Sequence, residues 1–153
     1  MRGLDTSTRM HRRLIDTLYV DAMVLADEAR SYFDETGRLE RDLLEPIARV
    51  SFSCESLKVT TRLMHVIAWL LTQRAVDAGE LLPRDALDPS RRLGPAPVSD
   101  TAAVAGMPRQ AQALIAASVE LYRRVDRLDQ AQAGELVASS PARSMLDRLA
   151  MTF

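Results

Sequence analysis

The stretch from Pro46 to Gly79 constrains this chain more than any other. Ile47, Val50, Cys54, Leu57, Thr61, Met64, Ala68, Leu71 and Ala75 recur at intervals of three and four, which is one seam along a helix. Phe52, Ser56, Val59, Leu63, Val66 and Leu70 form a second seam with the same spacing. At about 100° per residue the two seams are centred more than a quarter-turn apart, and Ile67 fills the arc between them. One neighbouring helix cannot cover both. A helix of this kind must run through the middle of a bundle, or touch two helices of its own chain and then a second copy.

A narrow polar strip is left: Ser51, Glu55, Lys58, Arg62, His65, Trp69 and Thr72, again in steps of four and three. Two readings are open. A charged strip ordinarily faces water. A cationic strip with one large aromatic also suits a docking surface, because Trp and Arg are enriched at interface hot spots. The candidate partner-contact residues are Glu55, Lys58, Arg62, His65, Trp69 and Gln73.

Two further helices flank this one. Ile15, Tyr19, Ala22, Ala26, Ala29 and Phe33 give one broad apolar face on a helix of about 7–35, with Thr36-Gly37 as its stop. Pro46 suits the first turn of the central helix, about 45–78, and Asp77-Ala78-Gly79 its end. Ala111, Leu114, Ser118, Leu121, Val125 and Leu128 mark a third helix of about 108–130. Between them, 80–107 holds Pro83, Pro89, Pro95 and Pro97 without helical spacing, and reads as a long flexible loop. No segment alternates for long enough to be a strand. The expected organisation is one bundle domain over 1–133 and a flexible or weakly helical tail over 134–153, where PARSMLDRLAMTF could form a short amphipathic helix. The fold class is all-α, a three-helix antiparallel bundle with a long central helix.

Composition excludes several kinds of chemistry. The 20 basic and 21 acidic residues nearly cancel, whereas general nucleic-acid binders carry a basic excess. The single cysteine, Cys54, allows neither an internal disulfide nor a multi-cysteine metal site, and its place on a seam suits a buried structural thiol. His11 and His65 are the only imidazoles and show no metal-ligand spacing. Ser51, Ser53, Ser56, Thr60 and Thr61 crowd one helix, where hydroxyls ordinarily bond back to carbonyls. No glycine-rich phosphate loop occurs. The polar start, MRGLDTSTRMHRR, has no signal-peptide pattern, and the apolar centre is too interrupted to span a membrane, so a cytoplasmic location is expected. No enzyme chemistry, metal or cofactor is indicated.

The run ESLKVTTRLMHVIAWLLTQRAVDAGEL, 55–81, closely resembles the central helix of the alphaproteobacterial RcdA family, the regulators of CtrA degradation. DAMVLADEARSYFDETGR in the first helix resembles it too, so that the likeness is best over 14–83. The resemblance implies a dimeric three-helix bundle acting as an adaptor for the cytosolic AAA+ protease ClpXP. Its implied partners are a second copy, the protease with its priming response regulator, other adaptors and substrate proteins, with recruitment to a cell pole. The apolar end of the tail departs from the family's disordered tail. Two alternatives come from the residues alone. One is a nucleic-acid-associated regulator using RMHRR, 9–13, and the strip; the other is a small-molecule-binding bundle with a pocket near Cys54, Thr61 and Met64.

Overall fold

In the computed structural model, which describes residues 2–138 and 141–152, every regular element is helical. The first helix, α1 (Arg2–Ser31), buries Ile15, Leu18, Ala22 and Ala29 and leaves Val20, Met23 and Val24 in solvent. It does not stop at Thr36-Gly37. One wide π turn, Tyr32–Thr36, leads directly into α2 (Gly37–Asp42). Gly37 has an ordinary helical φ of −65°, so it makes no reversal there. A Cβ at this position would lie 2.6 Å from the Tyr32 carbonyl oxygen, so the glycine serves close backbone approach at the widened turn.

The chain turns at residues 43–45 instead. Pro46 then opens α3 (Pro46–Asp77), where the N–H it lacks would have had no helical acceptor. The far end of α3 is closed by Gly79 at φ 76°, with Gly79 N donating to Val76 O and Glu80 N to Ala75 O. This pair of bonds satisfies carbonyls that the helix leaves open, and it needs a residue without Cβ. At the other end, Phe33 packs edge to face on both Tyr32 and Phe52, with its ring centroid 5.4 Å from that of Phe52. The Tyr32 hydroxyl donates to Glu40 and ties α2 to the bundle. Burial first, then the Glu40 carboxylate, hold that hydroxyl above its ordinary pKa.

The third long helix, α5 (Arg109–Ala138), passes Gln130 and carries Gly134 inside it. Gln132, beyond the expected end, donates to Gln73 on α3 at 2.7 Å, so packing against α3 extends α5. Contacts along the helices fix their directions. Arg12 meets Asp77 and Phe33 meets Phe52, so α1 runs antiparallel to α3. Arg62 meets Ser118, Trp69 meets Asp129 and Gln73 meets Gln132, so α3 and α5 run parallel, and the expected antiparallel arrangement holds only for α1 against its neighbours. Parallel neighbours need a connection that returns the full length of the helix. Residues 78–108 provide it, with a 3₁₀ turn at Asp85–Leu87 and a short helix, α4 (Thr101–Ala105), capped by the Asp100 carboxylate. Phe52, Val59, Leu63, Val66 and Leu70 of α3 fill the core between Ile15, Leu18 and Ala22 of α1 and Leu114, Ile115 and Val125 of α5. The last helix, α6 (Pro141–Thr152), exposes Met145, Leu146, Leu149 and Met151. No described helix is long and apolar enough to cross a membrane.

Candidate partner-binding site

The polar strip of α3 is not the face left over after packing. Glu55, Arg62, Trp69 and Gln73 are between 1% and 4% exposed, and Lys58 and His65 are half-buried. Their partners are the crossover and α5. The crossover backbone lies along the strip in the direction opposite to α3, so the order of contacts is reversed.

Five steps make up this ladder. Trp69 Nε1 donates to Asp129 Oδ1 at 2.9 Å, and Arg92 of the crossover grips the same carboxylate with two bonds of 2.8 and 2.9 Å. The ring of His65 packs under Gly94, where a Cβ would lie 3.1 Å from it, and the Tyr122 hydroxyl donates to Gly94 O at 2.6 Å. The Arg62 guanidinium donates to Pro97 O at 3.0 Å, Ser99 Oγ at 2.6 Å and Ser118 Oγ at 3.3 Å. Glu55 accepts from Ser99 Oγ at 2.6 Å, Asp100 N at 3.0 Å and Lys58 Nζ at 3.0 Å. Gln73 closes the series toward Gln132, which also lies 3.4 Å from His11 Nε2.

The electrostatics follow from burial. Burial pushes the Glu55 carboxyl up, but Ser99, the Asp100 N–H and Lys58 outweigh it and hold Glu55 below its ordinary pKa. Arg62 is pulled below its ordinary value by burial, against the opposing pull of the Glu55 charge. Ser99 bridges the two charges, donating to Glu55 while accepting from Arg62. Buried charges of this kind fix geometry more than they add stability.

Several residues of this ladder were outside the candidate set: Arg92, Gly94, Ser99, Asp100, Tyr122 and Asp129. Asp129, 3% exposed on α5 just beyond Val125 and Leu128, carried the one readable signal, an acid on an otherwise apolar helical face. Beside Arg62 the crossover and α5 enclose a groove of about 720 Å³, walled by Ala96, Val98, Val104, Ile115 and Val119. Of the residues named for a small-molecule pocket, Met64 walls a groove of about 430 Å³ with Phe33 and Ile67, Cys54 lines a separate shallow one with Val50 and Leu57, and Thr61 bonds back to Leu57 O at 3.0 Å. Cys54 is accordingly an exposed thiol and not a buried one, because its seam faces away from the core. The hydroxyls of Ser56, Thr60 and Thr72 bond to helix carbonyls, as expected of helical Ser and Thr. Among the described residues, no group of three or more His, Cys, Asp or Glu side chains could hold a metal ion.

The fold and this ladder define an all-helical bundle in which a long crossover is strapped to the central helix by buried polar side chains. A family model described as "Protein of unknown function (DUF1465)" matches residues 6–153. RcdA from Caulobacter crescentus CB15, known from its crystal structure, is 34% identical, with a TM-score of 0.64 over 78% of this chain and 90% of that one. No curated protein matches. The chain belongs to the RcdA family.

Proposed function

We propose that this chain is a non-enzymatic adaptor that helps deliver regulatory proteins to the cytosolic AAA+ protease ClpXP in cell-cycle-linked proteolysis. Membership of the RcdA family over nearly the whole chain is the observation that carries the proposal. On this reading the chain forms a homodimer in the cytoplasm and is recruited to a cell pole. It works with the protease's priming response regulator, with other adaptors and with substrate proteins, and it needs no cofactor.

The ladder gives the strip a role in such binding. Glu55, Arg62, His65 and, through Asp129, Trp69 act from beneath, by holding crossover residues 92–100 in one shape against α3, while Lys58 steadies Glu55 and Gln73 ties α3 to α5. The partner meets the crossover and the outer edges of Lys58 and His65. A pre-shaped segment binds with less ordering cost than a free loop.

The test is a pull-down from native lysate with the full-length protein as bait, repeated with residues 134–153 removed. Co-purification of the unfoldase, its priming factor or a second adaptor is the expected result. Recovery of nucleic acid alone at physiological salt would overturn it.

A further inference from the structure

The groove of about 720 Å³ between the crossover and α5 has Arg62 at its base. Its volume falls within the range of about 300–1,000 Å³ usual for small-ligand clefts. Val98 and Val104 of the crossover and Ile115 and Val119 of α5 wall it. Val98 is 86% exposed, so the mouth itself is apolar.

Both ends of the groove are tied off. At one end the Tyr122 hydroxyl donates to Gly94 O at 2.6 Å. At the other, Gln112 Nε2 donates to Met107 O at 2.8 Å and to Ala105 O at 3.3 Å. A peptide running lengthwise between the crossover and α5 would have to break one of these ties. A compact ligand entering by the mouth leaves both intact.

Charge selects among compact ligands. The buried Arg62 guanidinium is bonded only to neutral oxygens, those of Pro97, Ser99 and Ser118. The carboxylate that acts on it is Glu55, which is already bonded to Lys58 at 3.0 Å. Arg123 lines the same groove at its exposed edge, and among the described residues no carboxylate forms a salt bridge with it. Glu120 is the one acid in the lining, so two guanidiniums stand against one carboxylate. A buried cation without a full counter-charge attracts an anion strongly where water is scarce.

We propose that this groove binds a small apolar monoanion, an aryl or medium-chain acyl carboxylate, with its charge held by Arg62 and Arg123 and its body against Val98, Ile115 and Val119. Such a ligand braces residues 96–104 against α5. The inference is independent of the adaptor function and stands or falls by its own test.

That test uses the full-length protein and a matched pair of fluorescent probes. Anilinonaphthalene sulfonate carries an anion on an apolar ring system, and phenylnaphthylamine has the same rings without the charge. The sulfonate should bind about tenfold more tightly or better. Arg123→Gln should remove most of that difference. Ala116→Trp fills the groove and should abolish binding of the sulfonate. Both positions are exposed, so the fold stays intact. Decanoate should displace the dye and decanol should not. Saturating decanoate should also slow hydrogen exchange over residues 96–104. Equal binding of the two probes overturns the inference. So does binding that survives Ala116→Trp but falls with Met64→Gln, which places the dye on the outer face of α3. Displacement by a capped leucine-leucine-glutamate peptide but not by decanoate overturns it as well, and gives the groove to a protein partner.

Discussion

The indole N–H of Trp69 and the carboxylate of Asp129 meet at 2.9 Å in a site where both residues are nearly sealed from water. They are sixty positions apart in sequence and join the two parallel helices. Arg92 completes the site from the crossover, so one carboxylate holds three segments of chain together. Asp129→Ala leaves a buried indole donor and a half-exposed guanidinium without their acceptor. The expected loss is about 1–3 kcal/mol of stability, read from the urea midpoint. Trp69 is the only tryptophan, so its emission should also shift to the red as water enters.

Arg62 reaches the crossover at two points and α5 at one. Arg62→Ala should therefore release residues 96–100 while α1 stays protected. Hydrogen exchange followed by mass spectrometry should show faster exchange in that segment and an unchanged rate over Ile15–Ala29. The stronger change, Arg62→Glu with Trp69→Ala, should lower global stability as well, since it places a second carboxylate beside Glu55 and removes a core aromatic.

Glu55 makes stability depend on pH with a definite sign. Its folded-state pKa lies below the ordinary 4.5, because the bonds from Ser99, Asp100 and Lys58 prevail over burial. The ionised form is therefore favoured by folding. Its contribution is complete above the unfolded-state pKa and is lost as pH falls through the folded-state value. The urea midpoint of the natural protein should drop more steeply below about pH 5 than that of Glu55→Gln.

Gly79 is a position where backbone shape alone decides the outcome. Nothing lies within 4 Å of a Cβ built there, so space is not the constraint. Its φ of 76° is, and Gly79→Ala should cost about 1–2 kcal/mol through left-handed strain. Thermal unfolding checks this. Gly94→Ala acts through contact instead, against His65, and the pairing of Gly94→Ala with His65→Ala in a double-mutant cycle should show favourable coupling.

Periodicity was enough to place α3, its Gly79 stop and the existence of two apolar seams, because helix spacing and capping are local properties. The seam of Phe52, Val59, Leu63, Val66 and Leu70 lies in the core, and the one from Ile47 to Ala75 does not. Both have the same spacing and similar apolar content, so only the positions of α1 and α5 separate them. The strip shows the same division more sharply. A row of Glu, Lys, Arg, His and Trp reads as a face turned to water or to another protein. Here it turns inward, because α3 and α5 run parallel and the returning crossover has to lie somewhere along them. Its carbonyls and the Asp129 carboxylate supply partners that lie distant in sequence, and no spacing rule connects residue 62 to 97 or 69 to 129. The amino-acid order by itself determined the three long helices, the Gly79 stop and the two-sided character of the central one. The tertiary structure decided which side is interior, since burial of a polar side chain depends on whether a donor or acceptor arrives from elsewhere in the chain.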